Sequence, residues 1–216
     1  KRIHFFIKYN IFIMQDSFYS DLKVQEIQII NHTIQNLNQD FFLAKVSQPA
    51  HPDFLKPIAK HPNIRNSVRC LLINHNQELC LLYSRAKDYY TIPGGGIEPG
   101  ESLLQTLNRE TLEETGFLLK DPKPIGNIYE QRHDLITTTF FFSALPDKIL
   151  HSNYMPDELE EDYILKWLPL SKALQIFQTT CHEQQLHNFP SYKGAFISYR
   201  FLELLQYFLK TRKINH

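Results

Sequence analysis

Five of the seven glycines in this 216-residue chain fall between Gly94 and Gly116, crowded around a dense set of carboxylates. Pro93, the Gly94-Gly95-Gly96 run and Pro99-Gly100 suit no regular element, because glycine favours unusual backbone angles and proline lacks an amide donor. The segment from Gly94 to Gly100 is therefore predicted to be a tight loop. A helix must then start abruptly. Ser102 and Gln105 have the spacing of a capping box, and Leu103, Leu104 and Leu107 begin a helical apolar stripe. Gly116 suits the left-handed position that ends a helix. The expected helix spans Leu103 to Thr115.

On that helix Glu110, Glu113 and Glu114 stand at i, i+3 and i+4, so three carboxylates occupy neighbouring positions of one face. Each like-charge pair costs roughly 0.2 to 0.5 kcal/mol unless neutralised. A hard divalent cation such as Mg2+ is the natural counter-charge for an all-oxygen cluster. Arg109, one turn before Glu113, can hold it by a charge-assisted hydrogen bond, and Glu101 in the loop is placed to hold Arg109. A merely solvated acidic helix face would need neither a preceding triple-glycine loop nor an arginine spaced to brace its acids.

The stretch from Gly95 to Phe117 resembles the Nudix box, G-x5-E-x7-R-E-U-x-E-E-x-G-U, in which U is a bulky apolar residue. Gly95, Glu101, Arg109, Glu110, Glu113, Glu114 and Gly116 fill the fixed positions and Phe117 the last apolar one. The sole departure is Thr111 at an apolar position, which can still present its methyl to a core. So long a spaced pattern rarely arises by chance.

Composition fits an ordinary globular chain: 43% of residues are hydrophobic, and Lys plus Arg balances Asp plus Glu at 23 each. That balance leaves no global basic field to recruit nucleic acid. Cys70, Cys80 and Cys181 lack metal-like pairing and read as free thiols of a reducing compartment, the cytoplasm. The basic then apolar start, Lys1 to Ile13, is a poor signal peptide. His4, Lys8 and Asn10 interrupt it, no small-residue cleavage site follows, and nothing else approaches membrane-spanning length. Met14 is the first methionine, so translation beginning there is one account of the residues before it.

Three regions are expected. Residues 1–66 form an N-terminal extension, with an amphipathic helix from Asp21 to about Phe42 and an arm punctuated by Pro49, Pro52, Pro57 and Pro62. The arm either packs on its own domain or reaches a partner subunit of a homodimer. Residues 67–178 form the hydrolase-like domain. Its hairpin pairs Ser67–Ile73 with Glu78–Ser84, placing Cys70 nearly opposite Cys80. Further strands are expected at Tyr89–Ile92, Ile125–Gln131, Thr137–Ala144 and Tyr163–Leu168, and helices at Leu170–Phe177 and Tyr199–Leu209. Residues 179–216 form a helical extension packed on the same domain. The whole resembles the Nudix α/β/α sandwich with its mixed β-sheet.

The resemblance implies Mg2+- or Mn2+-dependent hydrolysis of the pyrophosphate linkage in a nucleoside diphosphate joined to another group: a nucleoside triphosphate, sugar nucleotide or dinucleotide. It further implies Glu110, Glu113 and Glu114 as metal ligands, with the side-chain-free backbone of Gly95 and Gly96 close to metal or phosphate. Arg109 braces Glu113 and Glu101 braces Arg109. The general base is either Glu110 or an acid of the run Asp157–Asp162, with Glu160 favoured and Glu161 next. Tyr90 either stacks a base or packs in the sheet, and Arg69 and Arg85 either reach phosphate or form surface salt bridges. His133 stands where ADP-ribose-type relatives carry proline. Cys181, His182 and His187 lack the spacing of a zinc site. The alternative to an enzyme is a non-catalytic Nudix-like nucleotide sensor or interaction module.

Overall fold

A computed structural model describes residues 10–12, 60–131, 135–150, 162–186 and 192–214. The expected N-terminal helix, most of the proline-rich arm, His133, Glu160 and Glu161 lie outside these residues.

Among the described residues, seven strands and three helices follow in the order β1 (Asn10–Phe12), β2 (Asn63–Leu72), β3 (Glu78–Ser84), β4 (Tyr89–Thr91), α1 (Leu103–Thr115), β5 (Phe117–Gln131), β6 (Leu135–Ile149), β7 (Tyr163–Pro169), α2 (Leu170–Leu186) and α3 (Tyr192–Ile214). They build a four-stranded sheet, β1-β5-β6-β2, and a three-stranded sheet, β4-β3-β7. The β2–β6 pair is parallel and the others are antiparallel, so the sheet is mixed as expected.

Strand periodicity creates the layers. Along β2, Leu71 and then Ile73 just beyond its end enter one core with Leu81, Phe141, Phe177 and Leu204, whereas Val68, Cys70 and Leu72 enter another with Leu103, Leu107 and Phe142. Successive side chains point to opposite faces. Helix α1 thus covers one face and α2 with α3 the other, which is the α/β/α sandwich.

The hairpin expected between β2 and β3 is only a turn. Asn74 Oδ1 accepts from the amides of Asn76 and Glu78, and an isolated bridge joins Ile73 to Leu79. Beyond it the strands part into different sheets, β2 pairing with β6 and β3 with β4 and β7. Cys70 and Cys80 nonetheless share a core as free thiols, and burial pushes both thiols up. Strand β5 begins directly at Phe117, eight residues before the expected start, because bulges between Lys120 and Lys123 and between Pro124 and Gly126 absorb its prolines.

Helix α1 has the expected bounds. Ser102 accepts from the Gln105 amide, Gln105 reaches back to the Ser102 amide, and Gly116 ends the helix at φ 75°. Thr111, at the apolar position of the box, is fully buried, and its hydroxyl has no hydrogen-bond partner among the described residues. An unsatisfied buried hydroxyl costs about 1–3 kcal/mol. Thr111→Val keeps the shape and removes that cost, so it should raise unfolding free energy by about 1 kcal/mol in chemical denaturation. A loss of stability would show that the hydroxyl is satisfied in solution.

Candidate active site

The glycine loop lies along the start of β2. The Val68 amide donates to the Gly95 carbonyl at 2.9 Å, Cys70 to Pro93 at 2.8 Å, and Ile97 donates back to Asn66 at 3.1 Å. Two glycines are required here for separate reasons. Gly94 has φ 130°, and a Cβ there would collide with the backbone of Val68 and Arg69. At Gly95 a Cβ would overlap the carboxylate of Glu110. The loop and the helix acids therefore meet with no space for a side chain between them.

The buried stripe of α1 runs through Leu103, Thr106, Leu107, Glu110, Thr111, Glu114 and Thr115. Its first half is mostly apolar and its second half carries two carboxylates. Glu110 and Glu114 are only 9% and 5% exposed, while Glu113 lies half-buried beside them. Burial is the main influence on Glu110 and pushes its carboxyl up, against the pull of Arg109 and, more weakly, Arg69. Glu114 accepts from the Gly94 amide at 2.7 Å.

Arg109 joins the parts. Its Nε and Nη2 donate to both oxygens of Glu101, at 2.7 and 2.9 Å. Its Nη1 donates to Glu110 at 2.9 Å and Glu113 at 3.1 Å, and Nη2 also reaches the Gly96 carbonyl at 3.2 Å. The expected bracing order, Glu101 to Arg109 to Glu113, is present, and Arg109 holds Glu110 as well. Thr106 donates to Glu101 at 2.8 Å, a contact the box pattern does not announce. The Arg109 guanidinium beside Glu101 holds its carboxyl down at about 2.

The other sequence-predicted residues separate. Arg69 comes to the site: its Nη1 donates to the Ile92 carbonyl at 2.8 Å, its charge acts on Glu110, and its buried Nε has no partner among the described residues. Arg85 instead forms a fork with Asp162, at 2.5 and 2.6 Å, on the exposed surface. Tyr90 packs at 4.9 Å from the Tyr83 ring and accepts from Lys166 Nζ at 3.2 Å, in contact with the core beneath α2 and α3. Arg65, absent from the sequence reading, lies over Gly96, where a Cβ would stand 3.5 Å from its Nη2. Period-two spacing from Arg69 along β2 was the signal that could have found it.

Among the described residues no three His, Cys, Asp or Glu side chains stand in a ready coordination geometry. Glu110 and Glu113 face Arg109 and Glu114 faces Gly94. The donor set nevertheless suits a hard divalent cation: it is all oxygen, two of its acids are buried, and one rests where only glycine backbone leaves room.

Residues 63–205 match the NUDIX domain. The chain belongs to the Nudix family of pyrophosphohydrolases. It is 28% identical over 121 residues to a putative 8-oxo-dGTP diphosphatase of Bacillus subtilis (strain 168), covering 56% of this chain and 76% of that protein. To the human diphosphoinositol polyphosphate phosphohydrolase NUDT4B it is 30% identical over 117 residues, 53% of this chain and 62% of that protein. Among solved structures, the mutator MutT protein from Bacillus halodurans aligns with TM-score 0.44 and 25% identity, over 52% of this chain and 72% of that one. No helix among the described residues is long and apolar enough to cross a membrane.

Gly94→Ala strikes backbone at a left-handed φ and should lower stability by about 1–3 kcal/mol, read as a lower Tm. Gly95→Ala meets only the end of a flexible side chain, so Tm should stay near wild type while turnover falls at least tenfold as Glu110 is displaced. Equal Tm losses would mean that both glycines serve only the turn. For Glu101, a depressed folded pKa gives stability fully present above its ordinary value of 4.5 and lost as pH falls through about 2. Denaturation of wild type and Glu101→Gln should accordingly differ at pH 6 and converge towards pH 2.

Proposed function

We propose that this Nudix family member hydrolyses the pyrophosphate linkage of a small nucleoside diphosphate derivative with Mg2+ or Mn2+ held by Glu110, Glu113 and Glu114. The observation that carries this reading is the burial of Glu110 and Glu114 against the Gly94-Gly95 backbone, where two carboxylates bear a desolvation cost that a folding role alone does not explain. The bound cation would neutralise the phosphoanhydride, orient it in line and lower the pKa of the attacking water.

The protein's own residues do the rest. Glu101 and Arg109 fix where Glu113 and Glu110 present their oxygens. Glu110, placed against the glycine loop, is the candidate for general base that the box itself supplies. Glu160 is the other candidate for that role. Arg69 beside Glu110 and the backbone of Gly96 are assigned to the phosphates, whereas Tyr90, packed on Tyr83 and the core, is left out of the substrate contacts. Arg85, engaged with Asp162, is left out of this set. The hydrolase unit takes in α3, since the family match extends to residue 205 and Phe201 and Leu204 share a core with Ile73 and Leu81.

A nucleotide sensor is the second reading, favoured by one observation: Arg109 already bridges Glu110 and Glu113 with a positive charge. Purified protein with Mg2+ should be incubated with nucleoside triphosphates, 8-oxo-dGTP, sugar nucleotides, dinucleotides and a diphosphoinositol polyphosphate, following phosphate, pyrophosphate and mononucleotide release. Turnover of a nucleotide supports the proposal. Stabilisation of the fold by one compound without cleavage of any supports the sensor. Glu114→Gln removes charge and little volume, so it should abolish metal-dependent turnover, a loss of at least a hundredfold, with Tm near that of wild type. Full activity in that variant would remove Glu114 from the ligand set.

A further inference from the structure

A cavity of about 470 Å³ opens at the far end of the β2–β6 pair from the glycine loop. Ser67, near the start of β2, is bridged to Gly96 of the glycine loop, whereas Ile73, just past its end, lines the cavity. Six residues of extended chain separate them, about 20 Å. The cavity is therefore remote from the box and takes no part in the site described above.

Its walls are apolar and its rim is charged. Ile73, Leu145 and Phe208 supply the walls, and Lys123, Arg212 and Asp121 the rim; Ser143 also lines the cavity. Two cations against one anion leave a positive mouth. Lys123 makes no ion pair among the described residues. Arg212 is held in place, donating to Gln77 at 2.9 Å and lying 5.2 Å over the Phe208 ring.

The backbone around this rim is unusual. Among the described residues four non-glycines have positive φ, and two of them, Gln77 at 61° and Asp121 at 52°, border the cavity. Asp121 sits in the β5 bulge and Gln77 in the β2–β3 turn, so two irregular connections on different elements converge on one mouth. Strain of this kind persists where the surrounding structure over-determines it, and it concentrates at ligand sites.

We propose that this cavity is a second binding site, for a small organic anion with an apolar ring, whose charge is met by Lys123 and Arg212 and whose ring packs against Phe208 and Ile73. A volume of this size accommodates a single ring with its anionic group. Such a ligand would bind at a distance from the hydrolytic centre and independently of its acids.

Phenyl phosphate and benzoate test this by calorimetric titration of the full chain, with inorganic phosphate and phenol as the anion alone and the ring alone. Both aryl anions should bind at least tenfold more tightly than either fragment. Lys123→Gln, on the exposed rim, and Arg212→Gln should each weaken phenyl phosphate several-fold and together tenfold or more, with turnover at the Nudix site unchanged. Glu114→Gln should leave the affinity as it was. Equal affinity for all four probes, or an effect of Glu114→Gln in place of the rim variants, would overturn the assignment. So would the lack of saturable binding up to roughly 10 mM.

Discussion

The positions of Glu101, Glu110 and Glu113 around the glycine loop depend on the guanidinium of Arg109. One planar group donates to both oxygens of Glu101, to Glu110, to Glu113 and to the Gly96 carbonyl. A lysine at this place could not do the same, because an ammonium offers a point charge without the fork that matches a carboxylate. Loop, helix start and helix centre become one rigid unit, with the Thr106 hydroxyl and Glu98 amide completing the shell of Glu101. Without that positive charge, Glu101, Glu110 and Glu113 would repel one another across a half-buried space.

This unit is held in turn by β2. The strand pairs with β6 along one edge and receives the loop on the other, through the amides of Val68 and Cys70 and the carbonyl of Asn66. Its side chains alternate between the two cores, so β2 fixes how α1 sits relative to α2 and α3. It also fixes which polar residues approach the site. Arg65, Ser67 and Arg69 share the face that becomes apolar at Leu71, and Ser67 meets Thr139 of β6 at 2.9 Å. The open end of that face is polar, and Arg65 is exposed there.

What was legible in the sequence was local. The cap at Ser102, the stop at Gly116 and the Glu101–Arg109–Glu113 brace all involve residues within one loop and one helix, where spacing alone sets distance. The pairing of β2 was not legible, because the turn at Asn74–Glu78 looks the same whether the strands continue as a ladder or part into two sheets. Only the parallel partner β6, some seventy residues later, decides between them. Arg85 illustrates the same gap: its partner Asp162 lies 77 residues away, and nothing near Arg85 indicates it. Pro122 and Pro124 have no amide to give a ladder, and β5 carries them by breaking register. The expectation of three acids on one face was true of the helix and incomplete for the fold, since burial divides them into Glu110 and Glu114 inside and Glu113 at the border.

That division bears on how stability and chemistry compete within α1. Its buried stripe has ordinary core residues at Leu103 and Leu107 and carboxylates one and two turns later, in positions where further leucines would add to the hydrophobic core. Replacing buried charges by apolar groups of similar size is often neutral or stabilising. A sequence selected for folding alone would therefore tend to lose Glu110 and Glu114. Their presence is accompanied by arrangements that only make sense together: Gly95 gives the Glu110 carboxylate its space, the Gly94 amide meets Glu114, and Arg109 neutralises from the side. At Glu110 these arrangements offset desolvation only in part, since burial still pushes its carboxyl up against Arg109. The remaining deficit is negative charge in a confined, oxygen-lined space, and the complement to that is a small, hard cation.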